Sequence, residues 1–368
     1  MKKILTVLIL TATLSAVAQK KYNLLIGTYT NSCESKGIYV FDFNTETADS
    51  KQKSSTGKLV SPSYLSVSPD KKIVYSVNED GKKSTVTALN YNQNSGELLY
   101  VNSVDSKGAD PCHIINDDKN VIVSNYSGGT ISIFKKKPSG GLTEAAQVIA
   151  HEGHSITKRQ ESAHVHMAQF SPDKKFVLAS DLGSDRIYVY RYYPDSEKKI
   201  LEFQDTIPIK TGSGPRHFVF SPNGNQVYAI QELDGTITAF NYGDGKAKRI
   251  QEISIVKPDF KGDISSAAIR ISSDGKFLYA TNRGDANTIS VFEIGANGRL
   301  THKSTIPTGG KGPRDFALSP DGKFVLIAHQ YTNNVTIFER NPATGLLEKT
   351  AKKIEICSPV CLVFDEIK

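Results

Sequence analysis

Several residues able to hold an anion or move a proton stand at related places along this chain. His164 and His166 are two residues apart, Arg216 is followed by His217, and Arg314 is followed by Asp315. Glu232 and Arg283 follow 51 residues apart, and His329 comes 46 residues later. A guanidinium holds a carboxylate or an oxyanion through a planar fork of donors. Imidazole and carboxylate groups supply general acid and base chemistry. On a strand, His164 and His166 would point to one side, a spacing that suits a metal or a proton-transfer pair. Nearby arginines repel a cation, so no metal is expected. No Gly-x-Ser-x-Gly elbow is present, Cys112 has His113 beside it but no evident base geometry, and no glycine-rich phosphate loop occurs. The pattern calls for no cofactor.

What positions these residues is a repeat. An apolar strand, a Ser-Pro-Asp-Gly-Lys type turn and a second apolar strand recur along the chain. Copies turn at Ser68-Pro69-Asp70, Ser171-Pro172-Asp173, Ser221-Pro222-Asn223, Ser272-Ser273-Asp274 and Ser319-Pro320-Asp321, with a degenerate copy at Asn116-Asp117-Asp118. The anchors Ser68, Asp117, Ser171, Ser221, Ser272 and Ser319 are 49, 54, 50, 51 and 47 residues apart. Such a period belongs to a propeller or a solenoid. Each repeat holds four strand candidates separated by turns such as Asn223-Gly224 and Asp234-Gly235. The mature chain contains no convincing amphipathic helix. The expectation is an all-β, seven-bladed β-propeller with four antiparallel strands per blade. The last strand, residues 360–364, has no following hairpin, while the mature chain opens on a second-strand pattern at residues 22–26. The C-terminal strand should therefore pair inside the N-terminal blade and close the ring, removing free edges.

Strands in each blade are lettered a to d from the central channel outward. The Ser-Pro-Asp turns join a to b on one face. The starts of a and the ends of b then surround the channel mouth on the other. Five residues before the anchors stand Ser63, His166, Arg216, Ala267 and Arg314. Ten and eleven residues after them stand Asn78-Glu79, Asp181-Leu182, Gln231-Glu232, Asn282-Arg283 and His329-Gln330. In the degenerate blade Cys112-His113 falls opposite Arg216-His217, and the second strand ends near Asn125 and Tyr126. Polar ends of inner strands often bind only channel water. Like charges gathered in a cleft cost stability unless acids or a ligand offset them, which marks this face as a site candidate.

The N-terminus reads as a leader over residues 1–18. Lys2 and Lys3 precede an apolar run from Ile4 to Leu14, and Ala16-Val17-Ala18 fits a cleavage pattern. The expected product is a propeller domain over residues 19–368, periplasmic or secreted. No later apolar run is long enough for a membrane span. The formal charge is +7, with lysines scattered in turns rather than interleaved with aromatics, so no nucleic-acid face is expected. Cys33, Cys112, Cys357 and Cys361 lack zinc-type spacing. The strand order puts Cys33 and Cys357 on the mouth face of one blade, where a disulfide can form, and buries Cys361 in the closing strand.

Leu25-Ile26-Gly27-Thr28-Tyr29-Thr30, Gly37-Ile38-Tyr39-Val40-Phe41, Pro62-Ser63-Tyr64-Leu65, His164-Val165-His166, Gly214-Pro215-Arg216-His217 and Gly312-Pro313-Arg314-Asp315 together resemble the lactonase family of seven-bladed propellers. That family includes propeller-type 6-phosphogluconolactonases and, more remotely, carboxymuconate cyclases. The resemblance implies hydrolysis of an anionic sugar lactone, with His166, Arg216, Glu232 and Arg283 as catalytic residues. Glu232 or His166 would be the base, Arg216 and Arg283 would hold the oxyanion or a carboxylate, and His164, His217, Arg314 and His329 would bind substrate. A non-catalytic binding propeller of the cell envelope and, as a minor alternative, a muconate-type cycloisomerase are the competing expectations.

Overall fold

The structure, a computed structural model, describes residues 20–367. The expected leader lies outside these residues. Seven four-stranded antiparallel sheets form a ring of blades. The first blade joins Pro359–Glu366 to Tyr22–Thr28, Ile38–Phe43 and Ser50–Ser55, so both ends of the chain meet in one sheet. Leu24 pairs with Phe364 and Ile26 with Leu362, in the expected closing arrangement. Among the described residues, no helix is long and apolar enough to cross a membrane.

The recurring turn is held by one hydroxyl. Ser171 Oγ donates to Asp173 Oδ1 at 2.6 Å and accepts the backbone N–H of Phe176 at 3.0 Å. Ser68, Ser221, Ser272 and Ser319 make the same pair of bonds. In the degenerate copy the Asp117 carboxylate accepts the backbone N–H groups of Lys119 and Asn120 at 2.8 Å each. The a and b strands thus start from a fixed hairpin in every full repeat. Neighbouring blades are also tied by tyrosines of the b strands. Tyr75, Tyr228 and Tyr279 each donate to a glycine carbonyl of the next blade, Gly140, Gly298 and Gly345, at 2.9 Å. Apolar side chains fill the seams between blades. Leu24, Ile26, Phe41 and Phe43 of the first blade pack with Leu326, Ala328, Val335 and Ile337 of the seventh.

One irregularity recurs on the inner strands. In the strand Pro215–Phe220, Pro215 opposes Gln231 and His217 opposes Ile230, leaving Arg216 as an extra residue. The same β-bulge leaves His166, Arg314 and Cys112 unopposed in their strands. A bulge bends its strand and re-aims the extra side chain. Gly214 prepares the bulge at Arg216. Its φ of +66° is the left-handed conformation that glycine adopts freely. Its carbonyl accepts the N–H of Glu232 at 2.7 Å. Gly312 does the same ahead of Arg314, with φ +71° and a 2.9 Å bond from Gln330 N.

Cys33 and Cys357 form a disulfide across the closing blade, while Cys112 and Cys361 are buried thiols. Two predictions follow from this closure. Ending the chain at Ser358 removes the innermost strand of the first blade and leaves the edge of Tyr22–Thr28 unpaired, and the truncated protein should aggregate and melt well below the full chain. A monomer with wild-type melting would contradict this. Cys33→Ser should lower the melting temperature by loosening the unfolded-state constraint, which for a loop this long amounts to up to about 5 kcal/mol. Non-reducing peptide mapping should find the Cys33–Cys357 link; two free thiols in oxidised material would contradict it.

Candidate active site

Two positions per blade build the channel mouth. The bulged residue near the start of strand a supplies His166, Arg216 and Arg314. The residue just after strand b supplies Glu79, Tyr126, Glu232 and Arg283.

Glu232 is the centre of one half. Its Oε2 lies 3.1 Å from Arg216 Nε and 3.0 Å from Arg283 Nη2, and its Oε1 accepts a hydrogen bond from Arg159 Nη2 at 2.8 Å. Arg216 Nε faces the carboxylate without an aligned hydrogen bond, so that contact is electrostatic. Arg216 Nη1 donates instead to the carbonyl of Ala267 at 2.5 Å. Burial alone would push the Glu232 carboxyl up, but Arg283, Arg216 and Arg159 outweigh it and hold it down to about 2. Burial, then the repulsion of Arg283, pulls Arg216 down to about 9, against the attraction of Glu232. All the members are therefore charged at neutral pH. Glu232, with both oxygens engaged, is a weak proton acceptor.

The imidazoles divide by depth. His166 is buried beside this cluster, with Cys112 Sγ 3.8 Å from its Nδ1 and the Tyr126 ring 5.4 Å away. Burial first, then Arg216, Arg314 and Arg283, hold it well below 6.5, so it is neutral. His164 stacks on Tyr126 at 4.5 Å, and its Nδ1 lies 3.0 Å from the Tyr126 carbonyl. A carbonyl only accepts, so Nδ1 carries a hydrogen, and in a neutral imidazole of this tautomer Nε2 is the acceptor.

Two expected mouth residues lie elsewhere. His217 points down the channel, its ring 5.7 Å from His113 and 6.2 Å from Tyr64. These three help line a cavity of about 520 Å³, whose walls do not include Arg216 or His166. His217 follows the bulge, and its ring lies on the channel side of Arg216, with Nη1 of that arginine 3.3 Å from its Nε2. His329 is fully buried inside its blade, close against Gly310, and Lys349 of the outer strand is the charge that acts on it. It is the last residue of a b strand, where Asn78 and Asn125 bond to the carbonyls of Val60 and Ser106. The mouth-facing place belongs to the next residue.

The structure also brings in groups that the repeat did not mark. Arg159 comes from a 3-10 turn, Lys158–Gln160, in the connection of residues 151–163. It reaches both Glu232 and the Tyr126 hydroxyl, the latter at 3.0 Å, while staying 53% exposed. The buried Asp185 carboxylate fastens this connection, accepting from Ser155 Oγ, Gln160 Nε2 at 2.8 Å and the N–H of Gly214 at 2.7 Å. His151, held 3.0 Å from Asp181 Oδ2 and 2.7 Å from the Tyr190 hydroxyl, anchors its start. The signal for this segment was the 54-residue interval, the longest between anchors. On the far side of the mouth, the Tyr29 hydroxyl donates to Glu79, and Arg314 lies over the Tyr29 ring at 5.2 Å.

The chain is similar to several known proteins. Residues 23–364 match the family described as lactonase, 7-bladed beta-propeller. A 6-phosphogluconolactonase of Formosa agariphila is 36% identical over 90% of this chain and 96% of its own length. Another, from Bacillus subtilis, is 33% identical over 94% and 98%. Among solved structures, a putative 6-phosphogluconolactonase of Bacteroides fragilis superposes with a TM-score of 0.91 at 39% identity, covering 95% of this chain and 99% of that one. The periplasmic gluconolactonase of Pseudomonas aeruginosa gives 0.89 at 33% identity, covering 94% and 99%.

The clamp predicts a pH-dependent stability. Folding favours ionised Glu232, since its carboxyl falls from the usual 4.5 to about 2. That contribution is complete above pH 4.5 and is lost as pH drops toward 2. Removing one partner of a buried ion pair costs about 3–5 kcal/mol. Glu232→Gln should therefore melt well below wild type at neutral pH, and the gap should narrow between about pH 5 and about pH 2. Melting curves across that range check this; a constant gap would contradict it.

Proposed function

The chain belongs to the lactonase family of seven-bladed β-propellers, and on that premise we propose that it hydrolyses an anionic sugar lactone at the mouth of its channel. The observation that carries this reading is the convergence of Arg159, Arg216 and Arg283 on one buried carboxylate. Attack of water on a lactone carbonyl moves negative charge onto the carbonyl oxygen. Guanidinium groups already fixed in a partly dry site stabilise that charge without reorganising. Glu232 keeps Arg216 and Arg283 in place, and the exposed Arg159 is free to exchange its hold on Glu232 for a substrate anion. His164, through Nε2, supplies an acceptor for a sugar hydroxyl, and its stack with Tyr126 gives a flat face for the ring. Arg314 adds a fourth cation on the opposite side.

The same reading includes export. Lys2, Lys3 and the apolar run to Leu14 have the form of a cleavable leader. The Cys33–Cys357 disulfide suits an oxidising compartment such as the periplasm.

The assay mixes the mature protein with δ-gluconolactone and with its 6-phosphate, and follows acid release against spontaneous hydrolysis. Wild type should accelerate at least one. Arg216→Ala and Arg283→Ala should each lower turnover by about 10²–10³. Binding of a lactone or an envelope glycan with no acceleration would identify a binding propeller instead. Wild-type turnover in both arginine variants would remove them from catalysis.

A further inference from the structure

The hydrolytic reading needs a group that accepts the proton of the attacking water, and neither expected base suits that task. Both oxygens of Glu232 are occupied by guanidinium groups. His166 is buried, with its ring packed against Tyr126 and His217. A second carboxylate stands at the same mouth. Glu79 follows its b strand as Glu232 follows its own, one residue beyond Asn78. It is half-buried. The Tyr29 hydroxyl lies 3.0 Å from its Oε1 and 3.1 Å from its Oε2, the Ser63 hydroxyl also acts on it, and two such donors leave lone pairs of the carboxylate free.

Resting on the lactonase reading above, we propose that Glu79 is the proton acceptor of the hydrolytic step and that Tyr29 holds its carboxylate in position. The charges around it agree. Arg314 reaches in from the seventh blade, Tyr29 from the first, and Asp110 and Cys112 from the edge of the third. Burial raises the proton affinity of Glu79 above that of an ordinary carboxylate, and Arg314, Ser63 and Tyr29 counteract part of the rise. Arg314 is influenced by Glu79 and Glu232 alike, which places it between the two halves of the mouth. Among the described residues it forms no ion pair of its own and is available to the reacting group.

In the step, water gives a proton to the Glu79 carboxylate while its oxygen bonds to the lactone carbonyl carbon. The carbonyl π electrons move onto oxygen, facing the arginines. When the carbonyl reforms, the bond to the ring oxygen breaks, and the Glu79 carboxyl returns the proton to that oxygen as a hydroxyl. The new carboxylic acid then ionises to solvent.

Three proteins test this with whichever of δ-gluconolactone and its 6-phosphate wild type hydrolyses, spontaneous hydrolysis being subtracted: wild type, Glu79→Gln and Tyr29→Phe. Glu79→Gln should lower kcat by about 10²-fold or more. In wild type, kcat/KM should fall on the acid side as Glu79 takes up a proton, and this limb should vanish from Glu79→Gln. Tyr29→Phe removes a hydrogen bond that favours the ionised form, so its acid limb should move to higher pH. Circular dichroism and melting curves report whether each variant folds. If Glu79→Gln does not fold, the position of the Tyr29→Phe limb decides. Wild-type kcat in Glu79→Gln, or an unmoved limb in Tyr29→Phe, overturns the assignment. A wild type inactive on both δ-gluconolactone and its 6-phosphate overturns the lactonase reading and this one together.

Discussion

Like charges cannot share a buried space unless something of opposite sign is fixed among them. At this mouth that something is Glu232, and its neighbours are arranged around the need. Two of its three arginines are locked, Arg216 onto the Ala267 carbonyl and Arg283 onto those of Ser265 and Ser266. The third, Arg159, approaches from solvent. The cluster keeps an excess of positive charge even with Glu232 ionised. That excess is a standing attraction for an anion, and is larger in a cleft than on an open surface because low-dielectric walls focus the field. A carboxylate that does this work is poorly suited to collecting protons, so the two tasks fall to different glutamates.

The repeat explains how so many charges reach one place. The blades are nearly the same hairpin machine, and the inner strand bulges near its start in all of them but the second, where Tyr64–Val67 pairs without a shift. The bulge converts a position that would sit in the ladder into one that faces the mouth. His166, Arg216 and Arg314 are the occupants in three blades, Cys112 in another, and a small Ala267 in a fifth, where Arg216 donates to the carbonyl. Variation at one backbone position thus yields an asymmetric site from a symmetric ring.

The ring, the four-strand blades and the closing strand were legible because they depend on short-range patterns: alternating apolar residues, Asn-Gly and Asp-Gly turns, and a serine hydroxyl that holds its own hairpin. The disulfide was legible because topology alone brings Cys33 and Cys357 to one blade. The site was legible to within one residue along each strand, and one residue is where alternation matters. Arg216 and His217 are adjacent in sequence, yet one faces the carboxylate and the other the channel. His329 was misplaced for the same reason. Arg159 stayed hidden because it belongs to no repeat; its position depends on the Asp185 carboxylate and on the fold of residues 151–163, contacts between segments that no local pattern encodes.

The shared blade also has a consequence for time. A ribosome finishes Tyr22–Thr28 more than 300 residues before it reaches Pro359–Glu366, the strand beside it (the disulfide partners are 324 residues apart). Contacts so distant in sequence form slowly, because the intervening chain must be gathered first. Until the last strand arrives, the first blade lacks its inner edge and Tyr29 lacks the bond from its N–H to the Ser358 carbonyl. The mouth is therefore completed only when Pro359–Glu366 arrives, and until then a nascent chain carries its arginines without the site they are to form.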